Sequence, residues 1–128
     1  MFKEVALVFV GGGLGSMLRF LIGKGVLQFS QLSFPMGTFI SNLIACIILG
    51  LVVYLSKGRM ILSTSLMLFL MTGFCGGLST FSTFSFETLQ LFRQGMYTYA
   101  FLNIGLSISL GILSIYWLIS KIPANEIN

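Results

Sequence analysis

The chain has 128 residues, of which 56% are hydrophobic and 8% charged, against roughly 25% charged in an average soluble domain. It has no histidine, three acids and two cysteines, which excludes a histidine-based catalytic site, and its apolar runs leave no stretch for a soluble domain. The net charge of +4 rests mostly on loop and end residues (Lys3, Lys24, Lys57, Arg59, Arg93, Lys121), which points to lipid headgroups rather than nucleic acid.

A helix needs about 20 apolar residues to cross the hydrocarbon core. Four segments meet that length, at about 5–27, 35–55, 60–92 and 97–119, so the expectation is a single all-α transmembrane domain. The first lacks a small-residue cleavage site after a short apolar stretch and reads as a retained helix, not a signal peptide. The second opens on Pro35, a residue suited to a helix's first turn. Small residues mark packing faces: Gly11 and Gly15 on the first span, Asn42, Cys46 and Gly50 on the second, Asn103, Ser107 and Gly111 on the fourth. Cys46 and Cys75 lie inside apolar segments and read as small buried hydrophobes.

With four spans, Lys3, Lys57, Arg59 and Lys121 share one side, and Lys24 and Arg93, with Arg19, lie toward the other. That is a weak positive-inside bias, which leaves insertion in both orientations, and hence an antiparallel dual-topology dimer, open. Four helices are also few to enclose a pore, so a transport pathway is expected to need a second subunit.

The third segment carries the run Thr72-Gly73-Phe74-Cys75-Gly76-Gly77-Leu78-Ser79-Thr80-Phe81-Ser82-Thr83-Phe84-Ser85. Lipid tolerates broken backbone only where protein or a watery cavity covers it. Glycine costs a helix about 1 kcal/mol relative to alanine, so Gly73, Gly76 and Gly77 predict a weakened helix in mid-membrane. Two readings stand side by side. A break frees carbonyls for a cation and, beyond it, amides for an anion; a kink merely lets helices cross.

Beyond the glycines, helical periodicity predicts two neighbouring stripes: Phe81, Phe84 and Thr88 on one, Thr80, Thr83 and Glu87 on the other. Ser82 and Ser85 stand beside the Phe stripe. Back-bonding to the helix accounts for one or two of these hydroxyls; the rest suggest a polar path. The rings are either core or, through their positive edges, contacts for a small anion. Asn42 in mid-span must find a partner, as a helix-to-helix bond or as a pathway amide, and Thr38 extends its face by one turn. Arg19 either snorkels to the interface or draws anions to a vestibule. Glu87 bonds to hydroxyls or reaches the interface.

Taken with Gly11-Gly12-Gly13-Leu14-Gly15-Ser16-Met17-Leu18-Arg19-Phe20 and Gly37-Thr38-Phe39-Ile40-Ser41-Asn42, the third run resembles the Fluc (CrcB) family of fluoride channels. Length, four-span layout and motif order fit across the whole chain. The resemblance implies an antiparallel, dual-topology homodimer with two pores. It also implies passive, selective fluoride export across the plasma (inner) membrane of a microbial cell, relieving fluoride toxicity. By position, Phe81 and Phe84 would be the ring edges that meet fluoride, Asn42 the pore amide, and Ser82, Thr83 and Ser107 hydroxyl donors. Arg19 and Thr38 would belong to the vestibule. The backbone carbonyls of Gly76 and Ser79, from both subunits, would hold a structural sodium ion on the two-fold axis. The family usually has Thr where Ser79 stands, often Tyr where Asn103 stands, and Ala and Tyr where Ser16 and Phe20 stand.

Physical chemistry agrees with this resemblance. A strongly hydrated ion needs close substitutes for its water shell, and conduction requires binding weak enough to release, which suits neutral donors better than a buried cation. One alternative is a small multidrug-type proton-coupled exporter, which needs a deep carboxylate in an early helix; the first span has none between Val5 and Leu27. The other is a non-transporting assembly subunit.

Overall fold

In a computed structural model the chain is described over residues 1–58, 62–123 and 125. It is all-helical: α1 (Phe2–Phe29), α2 (Met36–Gly58), α3 (Thr64–Met67), a π-helical stretch (Leu68–Cys75), α4 (Gly76–Leu78), α5 (Phe81–Arg93) and α6 (Tyr97–Ile119). Among the described residues, four stretches are long and apolar enough to cross a membrane: Phe2–Phe29, Met36–Lys57, Thr64–Arg93 and Tyr97–Ile119. Arg59 and the expected third-span start at residue 60 lie outside the described residues.

Local chemistry explains the helix ends. Pro35 is not in the first turn of α2; it precedes the helix, and its carbonyl accepts the Phe39 N–H at 3.0 Å. Ser63 caps α3 by accepting the Leu66 N–H. The end of α5 turns at Gly95, with φ 74°, where Met96 N–H returns to the Leu91 carbonyl at 2.9 Å. This is the left-handed termination that glycine allows without a Cβ clash. At the ends of the bundle, the Lys121 ammonium lies 3.5 Å from the Trp117 ring centroid and Lys24 5.2 Å from that of Phe20.

The third span does not break where its glycines stand. The backbone stays helical through the π stretch and α4, then extends at Ser79 (φ −82°, ψ 155°) and Thr80 (φ −152°, ψ 118°) before α5 begins. Gly73 and Gly77 serve close approach instead, whereas a Cβ on Gly76 would meet nothing within 4 Å. A Cβ on Gly77 would run into the Gly12 carbonyl oxygen, and one on Gly73 would lie 3.0 Å from Gly11 Cα and from the Val8 carbonyl oxygen. From the other side, a Cβ on Gly15 would meet the Phe74 carbonyl oxygen and the Leu78 nitrogen, the latter at 2.8 Å. All of these are backbone atoms, which cannot swing aside. So α1 lies backbone-to-backbone against the π stretch and α4, the small-residue mode of packing in membranes.

The second close pair is α2 with α6. Here Gly50 admits Ile115 and Leu118, and Gly111 admits the Cys46 sulfur, 3.3 Å from where its Cβ would be. The buried core is small: Ala45, Cys75 and Leu78, backed by Leu18, Ile22 and Ile44 among others. Both cysteines are free thiols. Large apolar side chains such as Phe9 and Trp117 point outward, as lipid-facing residues do.

Candidate ion pathway

The backbone break is held by a side chain from another helix. Asn42, half-buried in mid-α2, accepts the Thr80 N–H at 2.7 Å on Oδ1 and donates Nδ2 to the Thr80 carbonyl at 3.3 Å. Both bonds run between residues 38 apart in sequence. A carboxamide offers an acceptor and two donors, so one Nδ2 hydrogen is left over. The reading of Asn42 as a helix-to-helix bond and its reading as a pathway amide are therefore compatible.

The hydroxyls around the break form a directed set. Ser79 Oγ donates back to the Cys75 carbonyl at 2.8 Å. Thr80 Oγ1 caps α5 by accepting the Thr83 N–H, donates to Thr83 Oγ1 at 3.0 Å, and lies 3.3 Å from Ser82 Oγ. Because Thr80 supplies the proton in its bond to Thr83, the Thr83 hydroxyl keeps its own proton. Upstream, the Ser16 hydroxyl donates to the Gly77 carbonyl at 3.4 Å. Among the described residues no donor reaches the carbonyls of Gly76 or Ser79.

Two cavities share Thr80 in their walls. One, about 270 Å³, is lined by Asn42, Cys46, Ser79, Thr80, Phe81, Phe84, Ser107 and Ile108, with no charged side chain among the described residues. The other, about 420 Å³, takes in Ser16, Arg19, Thr38, Thr80, Thr83 and Glu87. Apart from Thr80, which lies in the wall of both, the stripes expected from periodicity face different spaces: Phe81 and Phe84 the uncharged cavity, Thr83 and Glu87 the charged one. The Phe81 and Phe84 ring centroids lie 6.0 Å apart with planes inclined by 35°, and Phe81 is 80% exposed on the protomer.

The sequence-predicted residues therefore fall into three groups. Asn42, Phe81, Phe84 and Ser107 come together around the uncharged cavity. Thr83 joins Arg19 and Thr38 in the charged one. Ser82 lines neither and is exposed beside Thr80. Gly76 is likewise exposed, while Ser79 is half-buried and belongs with the wall of the uncharged cavity. Thr38 and Glu87 line the same cavity, and the Glu87 Oε2 is buried without a partner among the described residues. Glu87 also reaches a third cavity of about 200 Å³, with Gln90 and Gln94.

The sequence reading placed Asn103 only on a packing face of the fourth span, without its polar partners. Asn103 is 1% exposed. Its Nδ2 donates to Thr88 Oγ1 at 2.9 Å, and its Oδ1 accepts from Ser107 Oγ at 3.3 Å. Its spacing from Ser107 was visible, but its partner Thr88 lies on a different helix.

Fold and site together define a multi-pass helical membrane protein whose third span is interrupted by a polar break. Residues 6–118 match the family described as "CrcB-like protein, Camphor Resistance (CrcB)", and the chain belongs to that family. A relative from Pyrococcus furiosus is 50% identical over 102 residues, covering 80% of this chain and 81% of that protein. One from Phocaeicola vulgatus is 42% identical over 113 residues, 88% and 93% of the two chains. One from Pyrococcus horikoshii is 45% identical over 114 residues, 89% and 91%. All three are named "Fluoride-specific ion channel FluC". The family is one of ion channels, not of enzymes.

Proposed function

We propose that this chain is a passive, fluoride-selective channel that exports fluoride from a microbial cell across its inner membrane. The observation that carries the reading is the uncharged cavity, where an amide, hydroxyls and the side chains of Phe81 and Phe84 converge beside a cavity holding Arg19. Family membership supplies the identity of the ion.

Leaving water is costly for a small anion, so the chemistry required is substitution of its shell. Arg19 in the wider cavity draws the anion in without gripping it at the midplane. Thr83 offers its uncommitted proton, and Asn42 the second hydrogen of its amide. Beyond Thr80 no cation follows, and the positive edges of Phe81 and Phe84 take over. Binding then stays weak enough for release, as conduction demands.

The functional unit is a homodimer of antiparallel copies with two pathways. Two features favour a second copy. Phe81 stands 80% exposed at the open side of its cavity. The carbonyls of Gly76 and Ser79 have no donor among the described residues, and hard cations prefer oxygen ligands; these carbonyls from both copies would hold a sodium ion at the two-fold axis. Such an ion would supply only structural attraction between the copies there.

The exporter alternative rests on one observation, the unpartnered Glu87 Oε2 in a cavity. Proton-driven efflux of a cationic drug, abolished by Glu87→Gln, would favour it. Electrogenic release of fluoride from liposomes, without a proton gradient, tests the channel reading; no release above empty liposomes would sink it.

A further inference from the structure

Asn103 sits behind the proposed pathway, lining neither of the two cavities that meet at Thr80. It is nonetheless the centre of a continuous hydrogen-bond chain. Ser107 Oγ donates to Asn103 Oδ1 at 3.3 Å, Asn103 Nδ2 donates to Thr88 Oγ1 at 2.9 Å, and Thr88 Oγ1 donates to the Phe84 carbonyl at 2.7 Å. The two ends of this chain, Ser107 and Phe84, both line the uncharged cavity. Its two middle members are buried, Asn103 to 1% exposure and Thr88 to 7%.

Directions along the chain are fixed by donor supply. Thr88 has one proton and gives it to the Phe84 carbonyl, so toward Asn103 it can only accept. That fixes the amide group of Asn103 on Thr88 and its oxygen on Ser107. Ser107 in turn has one proton, committed to Asn103, and shows the cavity only lone pairs. To donate to an anion it must turn its O–H off Asn103, across the longest bond of the three. Buried amides are costly to leave unsatisfied, so the chain moves as a unit or not at all.

We infer that Asn103 is a positioning residue for the ion pathway, setting through Ser107 which face of that hydroxyl meets the ion and, through Thr88, anchoring the backbone that carries Phe84. The inference rests on the channel reading above. It assigns Asn103 a task by its amide, at a position where the resembling family often has a ring. It also explains why Thr88 shares the stripe of Phe81 and Phe84 without lining their cavity.

The test is a double-mutant cycle read by the fluoride concentration that half-saturates efflux from liposomes. Asn103→Leu in the otherwise unchanged chain shifts that concentration by about threefold or more, the scale of one neutral hydrogen bond. In a Ser107→Ala background the same substitution shifts it less, because the hydroxyl route is gone and only the route through Thr88 remains. Thr88→Ser, which keeps the hydroxyl, matches the unchanged chain, while Thr88→Val lowers maximal flux. Equal shifts in both backgrounds would overturn the inference and reduce Asn103 to packing. If Asn103→Leu does not assemble, the Thr88 pair decides: equal flux from Thr88→Val and Thr88→Ser overturns it. An unchanged chain that passes no fluoride refutes the channel reading itself, a separate outcome.

Discussion

Asn42 joins the fold to the proposed conduction, and two substitutions there separate the roles. Asn42→Ala removes both bonds to Thr80. The larger loss is the partner of the Thr80 N–H, whose bond at 2.7 Å is shorter than the 3.3 Å bond to its carbonyl. An unsatisfied buried amide costs about 1–3 kcal/mol. Thr80 is only half-buried, which places the cost near the lower end, about 1–2 kcal/mol. Asn42→Asp keeps an acceptor for the Thr80 N–H but replaces the amide donor with an anionic oxygen facing the uncharged cavity. The expected outcome is a lower unfolding temperature in detergent for Asn42→Ala and a smaller loss for Asn42→Asp. Fluoride efflux falls at least about tenfold in both, a barrier increase of roughly 1.4 kcal/mol. Asn42→Asp conducting at the rate of the unchanged chain would refute the reasoning, as would an Asn42→Ala chain of unaltered stability.

Phe81→Ile and Phe84→Ile remove ring edges at similar apolar character, so efflux drops while assembly persists; unchanged efflux in both would make the rings packing residues. Gly77→Ala drives a methyl into the Gly12 carbonyl and lowers stability by about 1–3 kcal/mol, whereas Gly105→Ala, with nothing within 4 Å of its Cβ, leaves thermal unfolding unchanged. Replacing sodium with a large organic cation is expected to weaken the dimer in detergent; a dimer indifferent to the exchange would remove the role proposed for the Gly76 and Ser79 carbonyls.

Much of the site was legible because it is local. Helical spacing separated Phe81 and Phe84 from Thr83 and Glu87, and these do face different cavities, with Thr80 in the wall of both. Four apolar runs of spanning length likewise identify four helices without any knowledge of packing. The break itself was misplaced for a physical reason. Glycine signals weak helix and close approach with the same residue, and Gly73 and Gly77 serve the second. The actual break, at Ser79 and Thr80, depends on a side chain 38 residues away, which no local pattern reports. Asn103 and Thr88 were hidden likewise, as a pair of ordinary polar residues until α5 and α6 bring them within 2.9 Å. The proposed pairing of two copies would leave no periodic mark in one chain beyond a weak charge bias.

Whether this chain conducts fluoride is decided by loading liposomes with fluoride and chloride together and opening a potassium shunt. Ion-selective electrodes should then record rapid fluoride release while chloride stays inside, with no pH gradient imposed. Release of both ions at similar rates, or of neither, would contradict the proposed pathway.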